Sequence, residues 1–184
     1  MEYLSDMPTD FKIYKVRRDK NSGSQPTHAQ PYYEIFYLLN GDCTFFVDHN
    51  IYKLNKGDLV VVPAGELHKS TYPQMGSSER YVVCFKKGNL KWLNELLGDD
   101  FVKQSLTSGV ISIPEKRRDY VEALMNKMNF ENDGQDILSP AFIRTGLVEL
   151  ILFIMRCQRY EQNVIKEIDV DNQLMQEVAT YIYE

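Results

Sequence analysis

His28, Gln30, Glu34 and His68 are the residues of this chain whose types and spacing suit chemistry. They fall in two patterns, His28-x-Gln30-x3-Glu34-x6-Gly41 and Gly57-x5-Pro63-x-Gly65-x2-His68. Imidazoles and carboxylates are side chains that ligate divalent metals. The same groups could instead close on one another as a hydrogen-bonded cluster, because a buried carboxylate without a partner is costly. His68 or Arg80 would then be the partner of Glu34. Successive strand residues point to opposite faces. His28 and Gln30 therefore share one face, and Glu34, Phe36 and Leu38 share one face of the next strand.

Short strands with turns between them must position these groups. Phe11 to Val16, Tyr32 to Leu39, Asp42 to Asp48, Ile51 to Leu54, Asp58 to Val62, Leu67 to Tyr72 and Arg80 to Lys86 read as strands. Asn40-Gly41 has the composition of a type I′ hairpin turn joining the second and third. Pro63 cannot extend a central ladder, and Gly65 lets the chain corner so that His68 turns inward. Strands at this spacing argue for an antiparallel barrel or sandwich. After Lys87 the period changes. Leu90, Leu93, Leu96 and Leu97 suit a short helix ended by Gly98. Val110 to Ile113 reads as a last strand, and Pro114 opens a second helix with Tyr120, Val121, Leu124 and Met128 as its apolar stripe.

Ser139-Pro140 is an N-cap and first-turn pair for a third helix reaching about Tyr160. That helix is apolar around most of its circumference. One partner surface covers one face of a helix, so a second must cover the rest. Either the second helix does so within the monomer, or a second copy does, giving a homodimer interface at Leu147, Leu150, Ile151 and Ile154. We expect the homodimer. Asp171 to Glu184 reads as a further amphipathic helix that stops without a cap signal, so the chain is expected to be a piece of a longer protein.

The 184 residues allow one domain plus a fragment. Their 43% hydrophobic and 26% charged content excludes a disordered or disulfide-stapled chain. The net charge of -5 is localised: after residue 160, Lys166 stands against Glu161, Glu167, Asp169, Asp171, Glu177 and Glu184. The body is neutral, without the concentrated positive charge that gripping a phosphate backbone requires. Cys43, Cys84 and Cys157 form no CxxC pair and read as free thiols of a reducing compartment. The most apolar run, Leu147 to Met155, is far short of the roughly 20 residues that span a bilayer. A cytoplasmic protein with no membrane partner is expected.

The two patterns resemble the paired signatures of the cupin superfamily, G-x5-H-x-H-x3,4-E-x6-G and G-x5-P-x-G-x2-H-x3-N. The chain departs from them at three places: the first Gly is missing, Gln30 replaces a histidine and Tyr72 replaces the asparagine. The resemblance implies a mainly β fold with C-terminal helices, a cupin-type antiparallel β-barrel (jelly roll) followed by a helical dimerisation segment. Metal cupins use the positions of His28, Gln30, Glu34 and His68 as ligands. With Gln30 a poor replacement for imidazole, no cofactor is expected, and His28, Glu34 and His68 would be the ligands of any metal.

The run Tyr33-Glu-Ile-Phe-Tyr-Leu-Leu-Asn-Gly41 and the segment from Tyr52 to His68 resemble the N-terminal sensing domain of AraC-type bacterial transcription regulators. Pro114 to Tyr160 is similar to that family's dimerisation helices, and Leu174 to Tyr183 to the opening helix of its DNA-binding domain. The resemblance implies an effector-binding barrel at 1–113, a helical dimerisation segment at 114–160, and a linker with the start of an absent DNA-binding domain at 161–184. It implies no catalytic chemistry. A small metabolite, such as a sugar, would bind in the barrel, and DNA would be contacted only through the missing domain. Inward alternation offers His28, Gln30, Glu34, Phe36, Phe46, His68 and Tyr72 as its contacts. A metal-dependent cupin enzyme, either isomerase or dioxygenase, and a stand-alone sugar-binding cupin are the alternatives.

Overall fold

The structure is a computed structural model that describes residues 10–18, 26–72, 77–134 and 136–159. Eight strands come first to be paired: β1 (Phe11–Arg18), β2 (Tyr33–Asn40), β3 (Cys43–Val47), β4 (Asn50–Leu54), β5 (Asp58–Val62), β6 (His68–Thr71), β7 (Ser78–Phe85) and β8 (Gly109–Ser112). They form a five-stranded sheet in the order β1-β7-β2-β5-β8 and a three-stranded sheet in the order β4-β3-β6. Every pairing is antiparallel. The two sheets bury a common interior of Tyr32, Phe36, Leu38, Cys43, Phe45, Val47, Leu54, Val60, Val62, Val82 and Cys84.

The larger sheet is buried on its other face as well. Ile13, Ile35, Tyr37, Leu59, Val61, Tyr81, Val83 and Phe85 join a second core with helical residues Val121, Leu124, Met125, Met128, Leu147, Leu150, Ile151 and Ile154. This explains the sequence of the central strands. A strand covered on both faces reads as a continuous apolar run, as β5 does in Asp-Leu-Val-Val-Val and β2 in Ile-Phe-Tyr-Leu-Leu. The polar ends of the outward tyrosines are bonded by α3 (Glu115–Asp133): Tyr37 Oη donates to Glu122 Oε1 at 3.0 Å, and Tyr81 Oη to Asn126 Oδ1.

Asn40-Gly41 is not a hairpin turn, since β2 pairs with β5 and β7 while β3 pairs with β4 and β6. Gly41, at φ +82°, carries the chain from one sheet to the other beside the Ser77–Ser78 backbone. The tight two-residue turn is Asp48-His49, with φ of 49° and 61°, joining β3 to β4. Asp tolerates the left-handed region as few residues do.

Before α3 the chain forms α1 (Lys91–Leu97), which ends at Gly98 as expected, and then α2 (Asp99–Ser105), which has no periodic signal in the sequence. Seven residues are too few for an apolar stripe to repeat. Pro114 opens α3, whose buried stripe is Val121, Leu124, Met125 and Met128. Tyr120 is not in the stripe; it is exposed, and its hydroxyl donates to Glu149 at 2.5 Å.

The last described helix, α4, covers 139–159. Ser139 does not cap it, because its hydroxyl donates to Glu131 on α3 at 2.7 Å. Leu147, Leu150, Ile151 and Ile154 do not form a surface for a second copy, being 1% exposed or less within the chain's own core. Gly146 makes the close helix packing possible, since a methyl group there would lie 2.7 Å from Met128 Cγ. The expected helix at Asp171 to Glu184 lies outside the described residues.

Candidate functional site

The two sequence patterns meet at one end of the barrel interior. His28 and His68 form an isolated bridge, each amide donating to the other's carbonyl, at 3.1 and 3.0 Å. Gly65, at φ +85°, donates its amide to the Gln30 carbonyl at 2.7 Å, which fixes the corner leading into β6. The side chains converge as a result. Gln30 Nε2 donates to Glu34 Oε2 at 2.8 Å, and His68 Nε2 stands 3.9 Å from the same oxygen. The His28 and His68 rings lie 4.3 Å apart, and Phe45 is parallel to His68 at 6.1 Å. Gln30, Glu34 and His68 are all buried.

Each imidazole is oriented by its own backbone. Nδ1 of His28 lies 3.1 Å from the Pro26 carbonyl, and Nδ1 of His68 lies 3.0 Å from that of Glu66. A carbonyl only accepts, so Nδ1 carries the proton and Nε2 presents the lone pair in the neutral ring. By residue type, His28, Glu34 and His68 are the side chains here that would ligate a divalent metal. Among the described residues no three such side chains stand close enough to hold an ion.

A different chemistry occupies the other end. Arg80, 4% exposed, points inward from β7 with its guanidinium 4.8 Å from the Tyr72 ring and 5.5 Å from that of Phe36. Its Nε and Nη1 are buried and have no hydrogen-bond partner among the described residues. Arg18, also buried, lies 6.0 Å from the Tyr72 ring. Ring contacts of this kind contribute about 2 kcal/mol when desolvated, whereas burying a charge costs several. The aromatic faces alone do not offset the burial of Arg80.

Between the two ends lie Phe36, Phe45 and Tyr14, with Phe36 and Phe45 edge to face at 5.0 Å. Burial raises the Tyr14 hydroxyl well above the usual tyrosine range, reinforced by Cys84 and Glu34 and opposed by Arg80. Burial likewise raises Tyr72, with Arg80 opposing, and pushes the Cys43 thiol up to about 11.

His28, Gln30, Glu34 and His68 are thus brought together, with Phe36 and Tyr72 farther along the same interior. Phe46 is not among them. The inward residues of β3 are Cys43, Phe45 and Val47, so Phe46 lies on the opposite, half-buried face. Arg80 is not the partner of Glu34, because it stands opposite Leu38 in the ladder while Glu34 stands opposite Cys84. Tyr14, Arg18 and Phe45 were missed, and Arg80 was expected only as a partner of Glu34. Alternation along β1 and β7 was the available signal, since Tyr14, Val16 and Arg18 share a face, as do Arg80, Val82 and Cys84.

Two antiparallel sheets closed on a polar and aromatic interior, with helices following, make this a cupin fold. The cupin domain family matches residues 15–73, from within β1 to just past β6. Among solved structures, an apo variant of ToxT from Vibrio cholerae is similar over 84% of this chain and 57% of that one, with 11% identity and a TM-score of 0.57. A conserved protein of unknown function from Streptococcus pyogenes aligns with 42% of this chain and 66% of its own, at 25% identity and a TM-score of 0.38. An RmlC-like cupin from Shewanella frigidimarina aligns with 41% and 66%, at 22% identity and 0.38. The chain spans a little over half the length of ToxT and just under two thirds of the other two. No curated protein matches the sequence.

Proposed function

We propose that this chain is the effector-binding part of a cytoplasmic transcription regulator of the AraC type. A small metabolite enters the space between the sheets, and the helical layer passes its presence to a DNA-binding domain carried outside this chain. The observation that carries this reading is the lining of the interior. Gln30, Glu34, His68 and Arg80 are buried there among the rings of Phe36, Phe45 and Tyr72, the mix of apolar wall and few polar groups that small-molecule sites use.

A route to the helices follows from the sheet itself. A ligand against Phe36 or Arg80 touches β2 and β7, and the next residues on those strands, Tyr37 and Tyr81, hydrogen-bond α3 from the opposite face. Occupancy and helix position are separated by the thickness of one sheet. The likeness to ToxT, an AraC-type regulator, supports this reading because it extends over most of the chain. Two copies pair through the exposed part of the helical layer, where Phe130, Ile137, Leu138, Phe142 and Leu152 leave apolar surface in water. The chain itself performs no catalytic step and contacts DNA only through the other domain.

Thermal unfolding in the presence of sugars, polyols, amino acids and organic acids tests this. A true effector at roughly 100 times its Kd should raise the midpoint by about 5 °C or more. If no compound of any class moves it, the sensing role is refuted.

One observation favours a second reading, a metal-dependent cupin enzyme. Both imidazoles donate Nδ1 to backbone carbonyls, as metal-ligating histidines do. Elemental analysis of protein purified without chelators separates the two: stoichiometric iron, manganese or nickel, lost on His68→Ala, would favour the enzyme.

A further inference from the structure

We propose that the ligand of this barrel is a small organic monocarboxylate, held by Arg80 beside the rings of Phe36 and Tyr72. The inference rests on the effector-binding reading and names the chemical class that the interior takes.

Its basis is a buried cation whose hydrogen-bonding capacity is unfilled. Arg80 is 4% exposed, and its Nε and Nη1 have no partner among the described residues. Among those residues no buried acid is free to supply one. Glu34 receives Gln30 Nε2 and faces His68 at the far end. Asp58 accepts the Asn55 amide at 2.8 Å and the Ser112 hydroxyl at 2.7 Å. Buried polar groups are normally satisfied, and an arginine keeps its proton at every physiological pH. The missing partner is therefore an acceptor, and the strongest acceptor for a guanidinium is an anion.

The surroundings select the anion. Arg80 lies between two aromatic faces, with Leu38 opposite in the ladder and Val82 next on its own face. A dianionic phosphate would bring more charge and more oxygens than one guanidinium between two rings can satisfy. A flat monoanion joined to an apolar body matches both parts of this wall.

The test is thermal unfolding of the full chain, at matched ionic strength, with sodium acetate, sodium benzoate, inorganic phosphate, and benzamide as the neutral counterpart of benzoate. Benzoate should raise the midpoint by several degrees and acetate by less, with phosphate and benzamide giving no rise. Arg80→Met should abolish the benzoate effect. Arg80→Lys, which keeps the charge without the fork, should shift the benzoate concentration dependence about tenfold higher, and this variant decides if Arg80→Met does not fold. An equal rise from benzamide, a larger rise from phosphate, or a benzoate rise that survives in Arg80→Met would overturn the assignment. So would the absence of any carboxylate effect. A neutral sugar that stabilises the protein while carboxylates do not would remove the carboxylate and leave the sensing role standing. Silence from every class of compound would remove both.

Discussion

A single inward position can carry a charge, a thiol or a ring, and the interior of this barrel has all three within one wall. Cys43 shows what that enclosure does to ionisation. Its pKa is pushed up from 9.0 to about 11, chiefly by burial. Because the folded-state pKa lies above the unfolded one, the stabilisation it gives is full below pH 9 and is lost as the pH rises towards 11. Denaturant unfolding of Cys43→Ala should therefore show a weaker loss of stability between about pH 9 and about pH 11 than the unsubstituted protein. An identical slope would mean that the thiol is solvated. The motif residues were legible because fixed spacing tied His28, Gln30, Glu34 and His68 to two turns. Phe45 and Phe46 were not distinguishable, since a shift of one residue exchanges the faces of a whole strand. Arg80 was legible as a candidate inward charge but not as one distant from Glu34, because its position along the interior depends on the register of β7 with β2.

Elements were easier to read than their pairing. Turn residues bounded nearly every strand, so β5 came out with the same limits and most others within two residues. The exchange of sheet between β2 and β3 was hidden, because Asn40-Gly41 has the composition of a hairpin turn whatever its neighbours pair with. Gly41 and Gly65 now make different demands. Both hold positive φ, but only at Gly41 would an added methyl strike backbone, at Ser77 and Ser78; at Gly65 nothing lies within 4 Å. Gly41→Ala should cost well over about 1 kcal/mol, and Gly65→Ala about 1 kcal/mol or less, measured by chemical denaturation. Equal losses would show that the chain at Gly41 is not pressed against its neighbour.

At the scale of the whole molecule, the double covering of the five-stranded sheet governs stability and, on the proposed reading, links the barrel to the helices. Breadth of apolar surface on α4 was visible in the sequence, but not which partner covers it. Packing against α3 takes Leu147, Leu150, Ile151 and Ile154 into the chain's own core, and leaves Phe142 and Leu152 outside. Ile151→Ala should thus lower stability by about 2 to 5 kcal/mol. Leu152→Lys should change it by less than about 0.5 kcal/mol and, in sedimentation, weaken pairing between copies. A stable Ile151→Ala protein that sediments as a monomer would reverse these assignments. On the proposed reading a small molecule is sensed between the two sheets. Two-dimensional amide NMR, recorded with and without the compound that most raises the unfolding midpoint, tests it most directly. The largest shifts are expected at Tyr14, Glu34, Phe36, Phe45 and Arg80, with smaller ones reaching α3 through Tyr37 and Tyr81. Shifts confined to the outer helical surface, with the barrel interior unmoved, would contradict it.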